Sequence, residues 1–94
     1  MAKILLLDDE RALLRILART LERAGHSVVM AATGREALAA AENQDFEILV
    51  TDLKLAHESG LLVAQQLRAL QPEIGVLVLT AYASVPSAVE AMRL

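Results

Sequence analysis

A doubly wound α/β domain, a parallel sheet with helices on both faces, is the fold this sequence predicts. Three observations predict it. Short apolar runs of strand length recur four times in 94 residues. Segments with apolar residues at helical spacing follow each of them. The connections between the two are a few residues long. Such alternation calls for parallel strands joined by crossover helices.

Each element has its own signal. Ile4 to Leu7 is a continuous aliphatic run, the mark of a strand buried on both faces. From Arg11 to Ala24, Leu14, Leu17, Leu21 and Ala24 recur at helical spacing, and Gly25 supplies the stop. Ser27 to Ala31 reads as the second strand. Thr33 and Glu36 fit a capping box at the head of an Ala-rich helix that runs to about Glu42. Glu47 to Thr51 is the third strand. Ser59 caps a third helix whose Val63, Leu67 and Leu70 are expected to share one face, with Pro72 just past its end. Val76 to Leu79 is the fourth strand. Ser84 and Pro86 suit the first turn of a fourth helix carrying Val89 and Met92. That last pattern reaches Leu94 without a helix stop, so the sequence reads as one domain, residues 1–94, cut short at its C-terminus.

Composition narrows the class. The chain is 55% apolar with one Phe, one Tyr and no Trp, so its core must be aliphatic. That fraction is high for a small domain, which buries proportionally less surface, so apolar surface is expected to be exposed or covered by something else. The absence of cysteine excludes disulfides and thiolate metal sites. No stretch approaches a signal peptide's core or a membrane span, and a soluble, cytoplasmic protein is expected. A net charge of −3 argues against broad nucleic-acid binding by this segment.

The chemistry is concentrated in three acids. Asp8 and Asp9 follow the first strand directly, and Asp52 follows the third. In a parallel sheet with those strands adjacent, the three meet at the C-terminal edge, where open α/β sheets bind their ligands. A single Asp after a strand can serve as a helix N-cap, and either Asp8 or Asp9 can do so. Two carboxylates about 4 Å apart, however, repel by ~4 kcal/mol at an effective dielectric near 20, more than the ~1 kcal/mol a cap contributes. A bound Mg²⁺ removes that penalty and can hold a phosphoryl donor for in-line attack by a carboxylate. Asp52, alone on its strand, suits the nucleophile; Asp8 and Asp9 suit the metal. The Lys54 carbonyl is placed to reach the metal. The Thr80 hydroxyl, at the end of the fourth strand, suits a donor to a phosphoryl oxygen, beside a small Ala81 that leaves room.

With these pieces in place, the chain resembles bacterial response-regulator receiver domains of two-component signalling. The matching stretches are K-I-L-L-L-D-D-E at 3–10, I-L-V-T-D-L-K-L-A-H-E-S-G at 48–60 and V-L-V-L-T-A-Y-A-S-V-P-S-A-V-E-A-M at 76–92. The resemblance implies a flavodoxin-like α/β fold with strand order 2-1-3-4-5, of which this chain holds a (βα)4 portion of a (βα)5 whole. It implies that Asp52 accepts phosphate from a sensor histidine kinase or phosphotransfer protein. It implies that Asp9, Asp52 and the Lys54 carbonyl bind Mg²⁺ directly, with Asp8 acting through water and Thr80 as the switch hydroxyl. The implied protein is a phosphoacceptor rather than an enzyme. The T-A-Y-A-S-V stretch further resembles receivers of nitrogen-regulatory, enhancer-binding transcription activators.

Two departures from the family pattern stand out. Ala56 occupies the position of the usual Pro after the acceptor, which is expected to loosen that loop. The family's fifth strand and helix, with their phosphate-contacting Lys and switch aromatic, have no counterpart here. Without a fifth strand, Gly75 to Thr80 becomes an uncharged apolar sheet edge, expected to drive self-association. That supports a rival reading as an interaction or dimerisation module that assembles without phosphorylation. A haloacid-dehalogenase-type phosphatase needs a second Asp where Lys54 stands. A flavin binder needs a phosphate cradle where Asp8, Asp9 and Glu10 would repel phosphate. Arg11, Arg15, Arg19 and Arg23 form a basic stripe on the first helix, either a solvated face or a docking face for an acidic partner such as the kinase. His26 and His57 lack ligand-spaced partners and read as surface or turn residues.

Overall fold

The structure is a computed structural model that describes residues 1–79. It has seven elements: β1 (Lys3–Leu7), α1 (Arg11–Arg23), β2 (Ser27–Ala31), α2 (Gly34–Asn43), β3 (Ile48–Thr51), α3 (Gly60–Leu70) and β4 (Gly75–Val78). The expected fourth helix, with Ser84, Pro86, Val89 and Met92, lies outside the described residues, as do Thr80 and Ala81.

The four strands form one parallel sheet in the order β2-β1-β3-β4. This is the expected doubly wound arrangement. β1 is central and almost sealed: Ile4, Leu5, Leu6 and Leu7 are all 3% exposed or less. Its alternating side chains feed two cores. Leu5 and Leu7 join Leu49, Ala37, Phe46, Val63, Ala64, Leu67 and Ile74 beneath α2 and α3. Ile4 and Leu6 join Val50, Leu14 and Ala18 beneath α1.

The helix ends follow from local chemistry. Gly25, with φ of 95°, ends α1 in a Schellman turn: its N–H donates to the Glu22 carbonyl at 3.0 Å, and the His26 N–H donates to the Leu21 carbonyl at 3.1 Å. Thr33 caps α2, its hydroxyl accepting the Glu36 N–H at 3.1 Å, and the Glu36 carboxylate accepts from the same hydroxyl at 3.4 Å. Ser59 caps α3 by accepting the Leu62 N–H. Glu10 is the N-cap residue of α1 and makes no side-chain cap bond, so neither Asp8 nor Asp9 caps that helix.

One expected helix face is corrected, and in α1, where Leu14, Leu17 and Leu21 pack on the core as expected, one residue departs. Leu70 is 49% exposed, and the buried face of α3 is Gly60, Val63, Ala64 and Leu67. One turn past Leu67 the inward position belongs to Gln71, whose amide donates to the Ala41 and Gln44 carbonyls, each at 2.9 Å, and accepts the Phe46 N–H at 2.8 Å. In α1, Ala18 is buried beside Leu14, while Ala24 forms the C-cap. His26 is half-buried and structural: its Nδ1 accepts the Ala2 N–H at 3.0 Å.

Candidate functional site

The register of the sheet builds the site. Leu7 pairs with Ala31 on one side and Thr51 on the other, so the next residues, Asp8 and Asp52, leave neighbouring strands at the same level. Adjacent strands lie ~4.8 Å apart. The Asp8 N–H still donates to the Ala31 carbonyl at 3.1 Å, which carries the sheet one step beyond β1 and holds Asp8 in its rim.

The three acids are not equivalent. Asp8 is buried, 6% exposed, and its Oδ1 accepts the Glu10 N–H at 2.9 Å. Burial pushes its carboxyl above the usual carboxylate range. The Glu10 N–H pulls the other way, and the negative charges of Asp52, Asp9 and Glu10 add to the upward shift. Asp9, one residue on, is exposed. Asp52 is half-buried, and its Oδ1 accepts the Lys54 N–H at 3.3 Å. Among the described residues, no group of three or more Asp, Glu or His side chains closes into a ready-made metal cage. The convergence expected from sequence is therefore one of register and electrostatic range.

This donor set fits Mg²⁺, which takes one or two carboxylates and keeps several waters and substrate oxygens. The observation behind the fit is Asp8, a nearly buried carboxyl facing two further acids, whose charged form a divalent cation would stabilise. Asp8, Asp9, Asp52 and the Lys54 carbonyl are the oxygen donors this edge could offer such an ion.

The loop after β3, residues 52–59, is closed. Lys54 and Ser59 form an antiparallel bridge, the Leu55 N–H donates to the Glu58 carbonyl at 3.1 Å, and the Gly60 N–H donates to the Leu53 carbonyl at 2.9 Å. The loop is thus pinned although Ala56 stands in it. Gly60 permits this closure: a Cβ there would collide with the Asp52 carbonyl oxygen and sit 2.9 Å from the Thr51 Oγ1. That Thr51 hydroxyl, buried at 1% exposure, donates to the same Asp52 carbonyl at 2.9 Å. A cleft of about 250 Å³ opens beside Asp9, between Arg11, Thr33, His57 and Glu58. Thr80 lies outside the described residues.

Gly60 and Glu58 are the residues that sequence reasoning missed as shapers of this region. Gly60 had a signal, since a glycine eight residues after a strand-end acid, at the head of a helix, marks a close approach. Glu58 had none.

Comparison with known proteins gives the geometry a context. Residues 4–94 match the response regulator receiver domain family. The transcriptional regulatory protein ZraR of Escherichia coli K12 is 38% identical over 90 residues, covering 96% of this chain and 20% of the relative. The alginate biosynthesis transcriptional regulatory protein AlgB of Pseudomonas aeruginosa is 40% identical over 91 residues, covering 97% and 20%. The chain thus spans about a fifth of the length of these curated relatives. Kinship with the receivers of transcription activators, expected from the T-A-Y-A-S-V stretch, agrees with relatives of this kind. Among solved structures, a response regulator from Burkholderia pseudomallei, crystallised with a phosphorylated aspartic acid, calcium ion and citrate, superposes with a TM-score of 0.90 at 41% identity, covering 99% of this chain and 55% of that one. TrrA from Thermotoga maritima, solved with Mg²⁺ and BeF, gives 0.84 at 28% identity, covering 97% and 79%.

Proposed function

This chain belongs to the response regulator receiver-domain family, and from that premise we propose that Asp52 is its phosphoacceptor. An Asp52 carboxylate oxygen attacks the phosphorus of a phosphohistidine on a sensor histidine kinase or phosphotransfer protein. The new O–P bond forms in line as the N–P bond breaks, leaving an acyl phosphate on Asp52 and a free imidazole on the donor. Asp9, Asp52 and the Lys54 carbonyl would hold the cofactor, Mg²⁺, which when bound would neutralise charge on the transferring group. Asp8 acts from behind through water. Thr80 is the switch hydroxyl that donates to a phosphoryl oxygen. The role is that of a signalling acceptor in the cytoplasm.

The single observation that carries this reading is the Leu7–Thr51 register, which sets a buried Asp8 and a half-buried Asp52 side by side at the C-terminal edge of a parallel sheet. The Lys54 N–H on the Asp52 Oδ1 supports it further, because it orients that carboxylate, whose other oxygen has no hydrogen-bond partner among the described residues. The test is incubation with acetyl phosphate and Mg²⁺ followed by intact mass. The expected result is the gain of one phosphoryl group, lost when Mg²⁺ is chelated and lost in Asp52→Ala. A phosphoryl group retained by Asp52→Ala would refute the assignment.

A second reading has its own support. Leu77 on β4 is 53% exposed and Leu79 just past its end 41%, and β4 pairs with β3 alone among the described residues. An apolar edge of this kind, unpaired among the described residues, favours self-association through the fourth strand. Among the described residues, no helix is long and apolar enough to cross a membrane.

A further inference from the structure

We infer that Glu58 is a positioning residue: its carboxylate fixes the loop after β3, and with it the Lys54 carbonyl, onto the first turn of α2. The inference deepens the acceptor-site reading and rests on it for the role of that carbonyl.

The contact is specific. The Glu58 Oε2 accepts the Gly34 N–H at 2.8 Å, joining residues 24 apart in the chain. Gly34 is the first residue of α2, so its N–H is one of the donors that a helix leaves unsatisfied. Thr33 satisfies the Glu36 N–H from within the helix's own cap. The Gly34 N–H is satisfied from the acceptor loop instead. A carboxylate at that end of a helix is also favoured by the aligned peptide dipoles.

Space is reserved for the contact. Gly34 is buried, and a Cβ on it would overlap the Glu58 Oε1 and lie 2.7 Å from the Val63 Cγ2. Only a residue without a side chain lets the carboxylate and α3 both reach the backbone there.

Glu58 also holds its own loop at a second point, since its carbonyl accepts the Leu55 N–H at 3.1 Å. Leu55 is drawn into the core with Val63 and Ala37. Lys54 precedes Leu55 and is bridged to Ser59, which follows Glu58. The side chain of Glu58 thus anchors to α2 a turn whose opposite limb presents the Lys54 carbonyl. Releasing the carboxylate frees the turn at the limb that defines that carbonyl's position. Outer groups that orient metal ligands typically change metal affinity by about tenfold or more when removed.

The experiment uses the full chain with three substitutions. Glu58→Ala removes the tether, Glu58→Gln keeps an acceptor, and Gly34→Ala leaves Glu58 in place but expels its carboxylate. Amide hydrogen exchange is read without metal, and the Mg²⁺ dissociation constant by calorimetric titration. In Glu58→Ala and Gly34→Ala, the amides of Gly34 and of residues 54–59 should exchange faster, and Mg²⁺ affinity should fall about tenfold, with Glu58→Gln close to the wild type in both. Unchanged exchange at Gly34 and the loop would overturn the tether. Faster exchange with unchanged Mg²⁺ affinity would overturn the positioning role. Failure of the wild type to bind Mg²⁺ would instead overturn the acceptor-site reading itself, and with it any role for the Lys54 carbonyl, while the metal-free exchange data still decide whether Glu58 holds the loop.

Discussion

The two faces of the sheet are finished to different degrees. Beneath α2 and α3, Leu5, Leu7, Leu49, Leu67 and Ile74 are sealed, all 1% exposed or less. On the opposite face, α1 is the covering helix among the described residues, and it seals Ile4, Leu6 and Val50. Leu77, paired with Val50 on that face, is 53% exposed, and Ile16 on α1 is 63% exposed. The closed face supports the loop that carries Lys54 and Glu58, while the open margin lies beyond β3. Rigidity is thus invested under the acceptor loop, while Leu77 and Leu79 leave apolar surface at the β4 margin and the rest is spread over the helices and β2.

The sharpest test of this contrast is a pair of truncations. Leu67→Ala should cost about 3 kcal/mol of unfolding free energy, because a sealed site cannot collapse around the lost atoms. Leu77→Ala should fall within about 0.5 kcal/mol of the wild type, as substitutions at exposed sites usually do. Denaturant titration checks both, and comparable losses would erase the distinction. Association should show the reverse order. The wild type is expected to self-associate at tens of micromolar by light scattering, and Leu77→Lys to shift it toward monomer, since charge on an edge blocks strand pairing. A wild type that stays monodisperse and monomeric would break the contrast at its open side.

Gln71 provides a smaller effect on the closed side. Gln71→Ala leaves the Phe46 N–H and the Ala41 and Gln44 carbonyls without their partner, at a cost of about 2 kcal/mol. Equilibrium unfolding without a change in slope would check it.

Asp8 gives the subtlest test. Its folded carboxyl lies above the ordinary value of 3.8, chiefly through burial. The folded state therefore holds this proton more tightly than the unfolded chain does. The associated stability is fully present below the unfolded value and is lost as pH rises through the folded one. Thermal scans without metal should show that loss. Asp8→Asn, which keeps an oxygen for the Glu10 N–H, should remove the pH dependence and raise the neutral-pH Tm by about a few degrees. Added Mg²⁺ should stabilise the wild type more than Asp8→Asn. A pH-independent wild type would mean that the buried acid carries no such penalty.

These residues also mark how far the chain could be read without coordinates. Strand and helix positions were legible because hydropathy alternates at local periods, and the register at Leu7 and Thr51 then brought Asp8 and Asp52 together as expected. The residues alone did not distinguish Asp8 from Asp9; the family resemblance assigned them different roles, and their different burial was not legible. One residue separates an acid held in the sheet rim from one in solvent, and that step is set by the Asp8 N–H bonding Ala31 across strands. Ala18 and Ala64 were missed as core because a small side chain carries little hydropathy signal. Leu70 was misplaced because periodicity does not say where a helix leaves its neighbour.

By itself the sequence determined the alternating elements, the caps at Thr33 and Ser59, the Gly25 stop and the acids at the ends of two strands, because each depends on residues within a turn or two of one another. Only the tertiary structure decided that Gln71 would stitch α3 to the end of α2, that Gly60 would lie against the Asp52 backbone, and that Glu58 would reach the head of α2. Those contacts join segments up to 30 residues apart, and their partners are backbone groups, which every residue carries and no side-chain pattern announces.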